Sequence, residues 1–82
     1  MKRWYECEKK LKTFKQRERR RLFHEFKRQY AENWADVTLH PLYDVVVNLK
    51  RQMEVAEFYD MHKQSLNRSV KVYKQYLESI YG

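Results

Sequence analysis

One glycine, the final residue Gly82, and one proline, Pro41, are the only strong backbone breakers in these 82 residues. An all-β domain needs a turn every few residues, and glycine and proline supply most turns. The chain is therefore expected to be all-α. Two Trp, four Phe and seven Tyr give it more apolar surface than a disordered segment carries. A chain of this length buries only roughly 60% of the surface its unfolded form exposes. It lacks the usual staples, because Cys7 is its single cysteine and no Cys/His set stands at metal-ligand spacing. One helical domain spanning 1–82 is expected, held by well-packed helices or by association.

Apolar spacing predicts three helices, over about 4–34, 41–62 and 66–81. In the first, Trp4, Cys7, Leu11 and Phe14 share a face, and Leu22, Phe23, Phe26, Tyr30 and Trp34 continue it with a slow drift. Glu18 stands where the two halves should join, so the stripe is interrupted in the middle. At about 1.5 Å per residue such a helix would run on the order of 45 Å. Pro41 suits a first helical turn, with Thr38 or His40 as the cap before it. Leu42, Val45, Val46, Leu49, Met53 and Ala56 form the second apolar face, and their helical period outweighs the strand propensity of Val45-Val46-Val47. A turn is placed near Ser65. Leu66, Val70, Tyr73, Leu77 and Ile80 then give a seam like that of a coiled coil. The expected architecture is a long N-terminal helix packed on one or two further helices, as a three-helix bundle or a helical hairpin. The interrupted first helix and the last seam leave apolar face to spare, so a homodimer is expected.

Charge divides the chain in two. From Met1 to Trp34 twelve Lys and Arg oppose five Glu, whereas from Ala35 onward six cations meet six carboxylates, so the whole net charge of +7 lies in the first part. Arg3, Lys10, Arg17 and His24 recur every seven residues, a step that drifts by only about 20° around a helix. Arg21 and Arg28 fall beside them, and Arg20 and Lys27 widen the band. A charge run of mixed sign is usually just a solvated face. This one is almost all positive and rich in Arg, the residue of bidentate phosphate and carboxylate recognition. Lys10, Lys15, Arg17, Arg19, Arg20, Arg21 and Arg28 are the candidate contacts to nucleic acid or to a partner protein. Trp4, Tyr5 and Tyr81, near the two ends, are candidate aromatic anchors.

Residues for catalysis are hard to find. His24-Glu25 would open a zinc-protease helix only with a second His four residues on, where Arg28 stands. Cys7 lies on the apolar stripe with no His at hand to activate it. A phosphate-cradling loop needs glycines that the chain lacks. Glu54, Glu57 and Asp60 form a small acidic strip at helical spacing, to be read as a solvated face or as a complement to the Arg ridge. No enzyme, metal or cofactor is expected. The expected function is a small basic helical protein whose N-terminal ridge contacts nucleic acid phosphates without reading sequence. The alternative is an inhibitor or adaptor of viral or mobile-element type, docking its basic helix on an acidic surface of a nucleic-acid-handling enzyme or complex. Five Glu and the break at Glu18 argue against an interfacial membrane helix. With no apolar run of spanning length and no export signal, a cytoplasmic location is expected.

Overall fold

The first predicted helix ends early because its apolar stripe runs out. After Leu11 and Phe14 the next positions on that face would present Lys15 and Glu18 to the core, so a straight helix would bury charge. In the structure, a computed structural model that describes residues 4–81 and side chains from Glu6 to Tyr81, the chain breaks at residues 13–15. Helix α1 (Trp4–Lys12) gives way to α2 (Gln16–Tyr30). No glycine is needed for this. The Thr13 hydroxyl donates to the Lys10 carbonyl at 2.6 Å, the Thr13 and Phe14 amides close short three-residue turns, and Lys15 is extended. The break re-aims α2 so that Phe23 and Phe26 are buried while Glu18 turns out to solvent. The 45 Å helix expected over 4–34 is thereby replaced by two shorter ones, in a molecule only 32 × 26 × 25 Å across.

The later boundaries also shift. Trp34 lies outside α2, in a turn where its amide donates to Ala31, and its ring meets Phe26 edge-on at 5.7 Å. Helix α3 (Asp36–Val46) starts five residues before Pro41, with Ala35 as its cap instead of Thr38 or His40. Pro41 therefore sits inside the helix. The carbonyl it leaves without a helical donor is that of Val37, which lies on the open side and is 79% exposed. The helix expected over 41–62 is divided by Leu49, whose φ of 56° is left-handed. Helix α4 (Gln52–Phe58) follows. Its end is a Schellman closure built on Asp60, also left-handed at φ 51°, with Asp60 N–H donating to Glu57 and Met61 N–H to Ala56. Helix α5 (Lys63–Tyr81) begins just after this turn, slightly before the expected one at Ser65, and Ser69 is buried in its interior.

Among the described residues the result is an all-helical bundle of five elements, with one continuous core. Helix α5 lies at its centre and packs on α1, α3 and α4, while α2 packs on α3. Leu66, Val70, Tyr73 and Leu77, the seam expected to drive dimerisation, are buried within the chain itself. The surplus apolar face behind that expectation is therefore largely absent, with Ile80 alone of the seam exposed. Phe26 occupies the middle of an aromatic cluster, 4.9 Å from Tyr73 and 5.5 Å from Tyr76 between ring centres, with Tyr30 stacked at 5.9 Å.

Tyr73 is fully buried there, and its hydroxyl has no hydrogen-bond partner among the described residues. Such a group costs on the order of 1–3 kcal/mol. Burial, then the neighbouring Tyr76 and Tyr81, push its phenol well above the ordinary tyrosine range. An unfolded tyrosine ionises near pH 10, so this contribution to stability is whole below about pH 10 and is lost as pH rises beyond it. Tyr73→Phe is expected to raise the neutral-pH stability by about 1 kcal/mol and to make the alkaline loss shallower. Denaturant melts at pH 7 and above pH 10 check both, and an unchanged or lower midpoint at pH 7 would show the hydroxyl to be satisfied.

Candidate nucleic-acid interface

Helix α2 gathers most of the predicted site. Phe23 and Phe26 fix its inner face, and at 3.6 residues per turn Arg17, Arg21, His24 and Arg28 fall on the opposite side. Arg20 and Lys27 lie along one flank of that band, Glu18 and Glu25 along the other. All six basic side chains, counting His24, are exposed. Arg28 Nη1 reaches Glu25 Oε1 at 3.2 Å. Arg17, Arg20, Arg21 and Lys27 have no carboxylate within ion-pair distance among the described residues. Like charges three and four residues apart oppose helix formation by a few tenths of a kcal/mol per pair. The ridge from Arg17 to Arg28 is roughly 16 Å long.

Arg19 departs from the expected site. It points inward, and its guanidinium joins three backbone carbonyls: Nε donates to Val47 at 2.7 Å, and Nη1 donates to Phe14 and, at 3.4 Å, to Leu11. Leu11 lies in the last turn of α1, Phe14 within the break itself, and Val47 caps the end of α3. Arg19 is thus a clamp that closes two helix ends and holds the two segments together. The planar five-donor fork of Arg suits this task, which a lysine cannot reproduce.

The other candidates scatter. Lys10 belongs to α1, beyond the break, and its ammonium stands 4.3 Å over the ring of Tyr81. The seven-residue register through Arg3, Lys10, Arg17 and His24 consequently does not continue across residues 13–15, and Arg3 lies outside the described residues. Tyr81 also packs on Phe14 at 5.7 Å, so it ties the end of α5 to α1 and is only 37% exposed. Lys15 is exposed at the start of α2. The side chains of Trp4 and Tyr5 lie outside the described residues. Near Lys15, Gln16 donates to Asn48 at 2.8 Å, which brings the 48–51 turn with Lys50 and Arg51 alongside the N-terminal end of the ridge.

A groove of about 380 Å³ opens beside the ridge, between α2, α3 and the residue that ends α4. Phe23, Leu39 and Tyr43 supply apolar surface, His24 and Lys27 form the wall shared with the ridge, and Asp36 and Asp44 stand on α3. Tyr43 is held at two points: its hydroxyl accepts from Arg20 Nε at 3.2 Å, and its ring meets Phe23 edge-on at 5.1 Å. Asp44 accepts from Tyr59 at 2.7 Å and from Asn48 at 2.8 Å. The hydrogen bond to Asp44 holds the Tyr59 phenol above its ordinary range, with burial and the carboxylate charge acting in the same direction. Spacing in the sequence had marked His24 and Lys27 as part of the band. The groove had no such signal, because its walls come from three elements.

Among the described residues there is no group of three or more His, Cys, Asp and Glu placed to hold a metal ion, and no helix is long and apolar enough to cross a membrane. No protein-family model matches the chain, and comparisons with curated proteins and with solved structures likewise give no match.

The clamp and the ridge separate under substitution. Arg19→Lys is expected to cost about 2 kcal/mol of stability, since hydrogen bonds from a charged donor contribute roughly 1.5–3 kcal/mol and most of the three are lost. Arg17→Lys, on the open face, is expected to stay within about 0.5 kcal/mol of the parent. Equal midpoints for the two variants in urea would show that Arg19 holds nothing.

Proposed function

We propose that this protein is a non-catalytic nucleic-acid-binding module whose α2 ridge contacts the phosphate backbone. The observation that carries the reading is the outward face of α2, where Arg17, Arg20, Arg21 and Lys27 stand exposed without a carboxylate partner. Cations left unpaired on one helix face have their counter-charge elsewhere, and Arg-rich faces suit phosphate. A 16 Å ridge spans about five phosphates of one strand at roughly 3.4 Å per step. Phosphate contact fixes position without reading bases.

Five such contacts give a salt slope of about −4.5 on duplex DNA, a fall of roughly 500-fold in affinity between 50 and 200 mM salt. Changing Arg17, Arg21 and Lys27 together to Gln is expected to reduce the slope by roughly 3 while leaving the fold intact, because all three are exposed. Fluorescence anisotropy with duplex DNA, single-stranded DNA and RNA measures both. Absence of salt-sensitive binding to all three, or binding that the triple change leaves alone, would refute the reading.

A second reading, protein contact through the same ridge, has its own observation in α4. Phe58 is 81% exposed and Met53 54%, and Glu54, Glu57 and Asp60 are exposed around them. An acidic, partly apolar face of this kind complements the ridge, so a second copy of the chain would pair α2 with α4 in a homodimer. Sedimentation equilibrium at tens of micromolar should then show an assembly at 50 mM salt that dissociates at 500 mM and is weakened by Phe58→Ser. A monomer at both salt concentrations would remove this reading.

A further inference from the structure

The groove beside α2 is placed to do what a phosphate ridge cannot. We infer that it receives one unpaired base of a single strand, stacked on Tyr43, while the neighbouring phosphates lie along α2; the inference rests on the phosphate-contacting reading of that helix. Three observations carry it.

The first is continuity. His24 and Lys27 belong both to the ridge and to the groove wall, so a strand tracking the ridge passes the groove's mouth. Arg20, another ridge residue, donates to the Tyr43 hydroxyl at 3.2 Å. The second is the fixed orientation of Tyr43. Its ring is braced edge-on by Phe23 and its hydroxyl is held by Arg20, so little rotational freedom is lost when a base stacks on it. Stacking on such aromatic platforms tolerates any base, since every base has a π-face.

The third is the sign of the charge across the groove. Lys27 and the imidazole of His24 line the α2 side, and Asp36 and Asp44 line the α3 side with His40 between them. Those carboxylates repel a phosphate entering the groove. They can instead accept from the amino edge of a base, as carboxylates do from cytosine N4. Phosphate outside and base inside is thus the arrangement that the charges favour. At 380 Å³ the space falls within the usual size range of small-ligand sites. A base paired within a duplex stack does not reach such a site without being extruded.

The test compares two single strands of equal backbone charge, with a duplex as the paired control. Anisotropy at 50 mM salt is measured for a single-stranded 12-mer of deoxycytidine, a single-stranded 12-mer of abasic residues, and a duplex 12-mer. Wild-type protein is expected to bind the deoxycytidine strand on the order of 5- to 150-fold more tightly than the abasic strand, the range for one stacked base. Tyr43→Leu keeps an apolar side chain against Phe23. It is expected to bring the deoxycytidine strand close to the abasic value while leaving the salt slope, set by the number of ridge cations, unchanged. Equal wild-type affinity for the two single strands, with the salt slope intact, overturns the groove and leaves the phosphate reading standing. A Tyr43→Leu variant that weakens all three probes alike also overturns it. No salt-sensitive binding to any probe removes the phosphate reading and this inference together. The wild-type comparison needs no variant, so the inference stays testable even if Tyr43→Leu fails to fold.

Discussion

Which way the basic face points is decided by Phe26. Its ring lies within 6 Å of Tyr30, Trp34, Tyr73 and Tyr76, and it is fully buried. Helix α2 reaches the central helix α5 through this residue and Tyr30, which meets Tyr76 at 5.7 Å, while its backbone packing is chiefly against α3. Once Phe26 is seated, the rotation of α2 about its own axis is set. Arg17, Arg21 and Arg28, on the opposite side of the turn, can then only face outward. Core packing and the proposed site are therefore one constraint seen from two sides. Edge-on ring pairs of this kind add roughly 0.5–1.5 kcal/mol beyond the area they bury, which suits a small core without a disulfide.

The break at residues 13–15 makes that seating possible. In a single helix from Trp4 to Trp34, the face that carries Cys7 and Leu11 would arrive at Glu18 and drift away from Phe26. The interruption at Glu18 is visible in the sequence, and the structure meets it with a bend. The chain bends before Glu18 instead of exposing the middle of a rod. Arg19 then makes the bend permanent by binding the carbonyls of Leu11, Phe14 and Val47. One arginine of the run is thus withdrawn from the surface to secure the others.

Helical content, the apolar faces and the side of α2 that meets solvent were all legible from periodicity. The helix ends were not. Leu49 and Asp60 take left-handed backbone conformations that glycine adopts at no steric cost, so reading breaks from Gly and Pro passes over both. Pro41, the one proline, lies inside α3. It marks no boundary, because the backbone carbonyl it orphans belongs to exposed Val37. Helical spacing puts Arg19 on the face of Phe23 and Phe26 and Arg17 opposite them, but the partner of Arg19 there, the carbonyl of Val47, lies 28 residues away in sequence and has no local signal. Lys10 misled for a related reason: its seven-residue spacing from Arg17 has meaning only along an unbroken helix. The groove, assembled from α2, α3 and Tyr59, depends entirely on such distant pairings.

The two acids of α2 complete the electrostatic argument. Glu18 and Glu25 lie along one flank of the ridge, and Glu25 already partners Arg28. A phosphate chain crossing that flank meets negative charge, while the flank of Arg20 and Lys27 offers none until the groove is reached. There the sign changes again, at Asp36 and Asp44. The favourable path for an anionic strand is consequently a band bounded on both sides by carboxylates. The edge beside Tyr43 has a cavity and a braced aromatic ring behind it. Charge alone would leave the strand free to slide along α2, and it is the uncharged surface of that groove that could hold it in register.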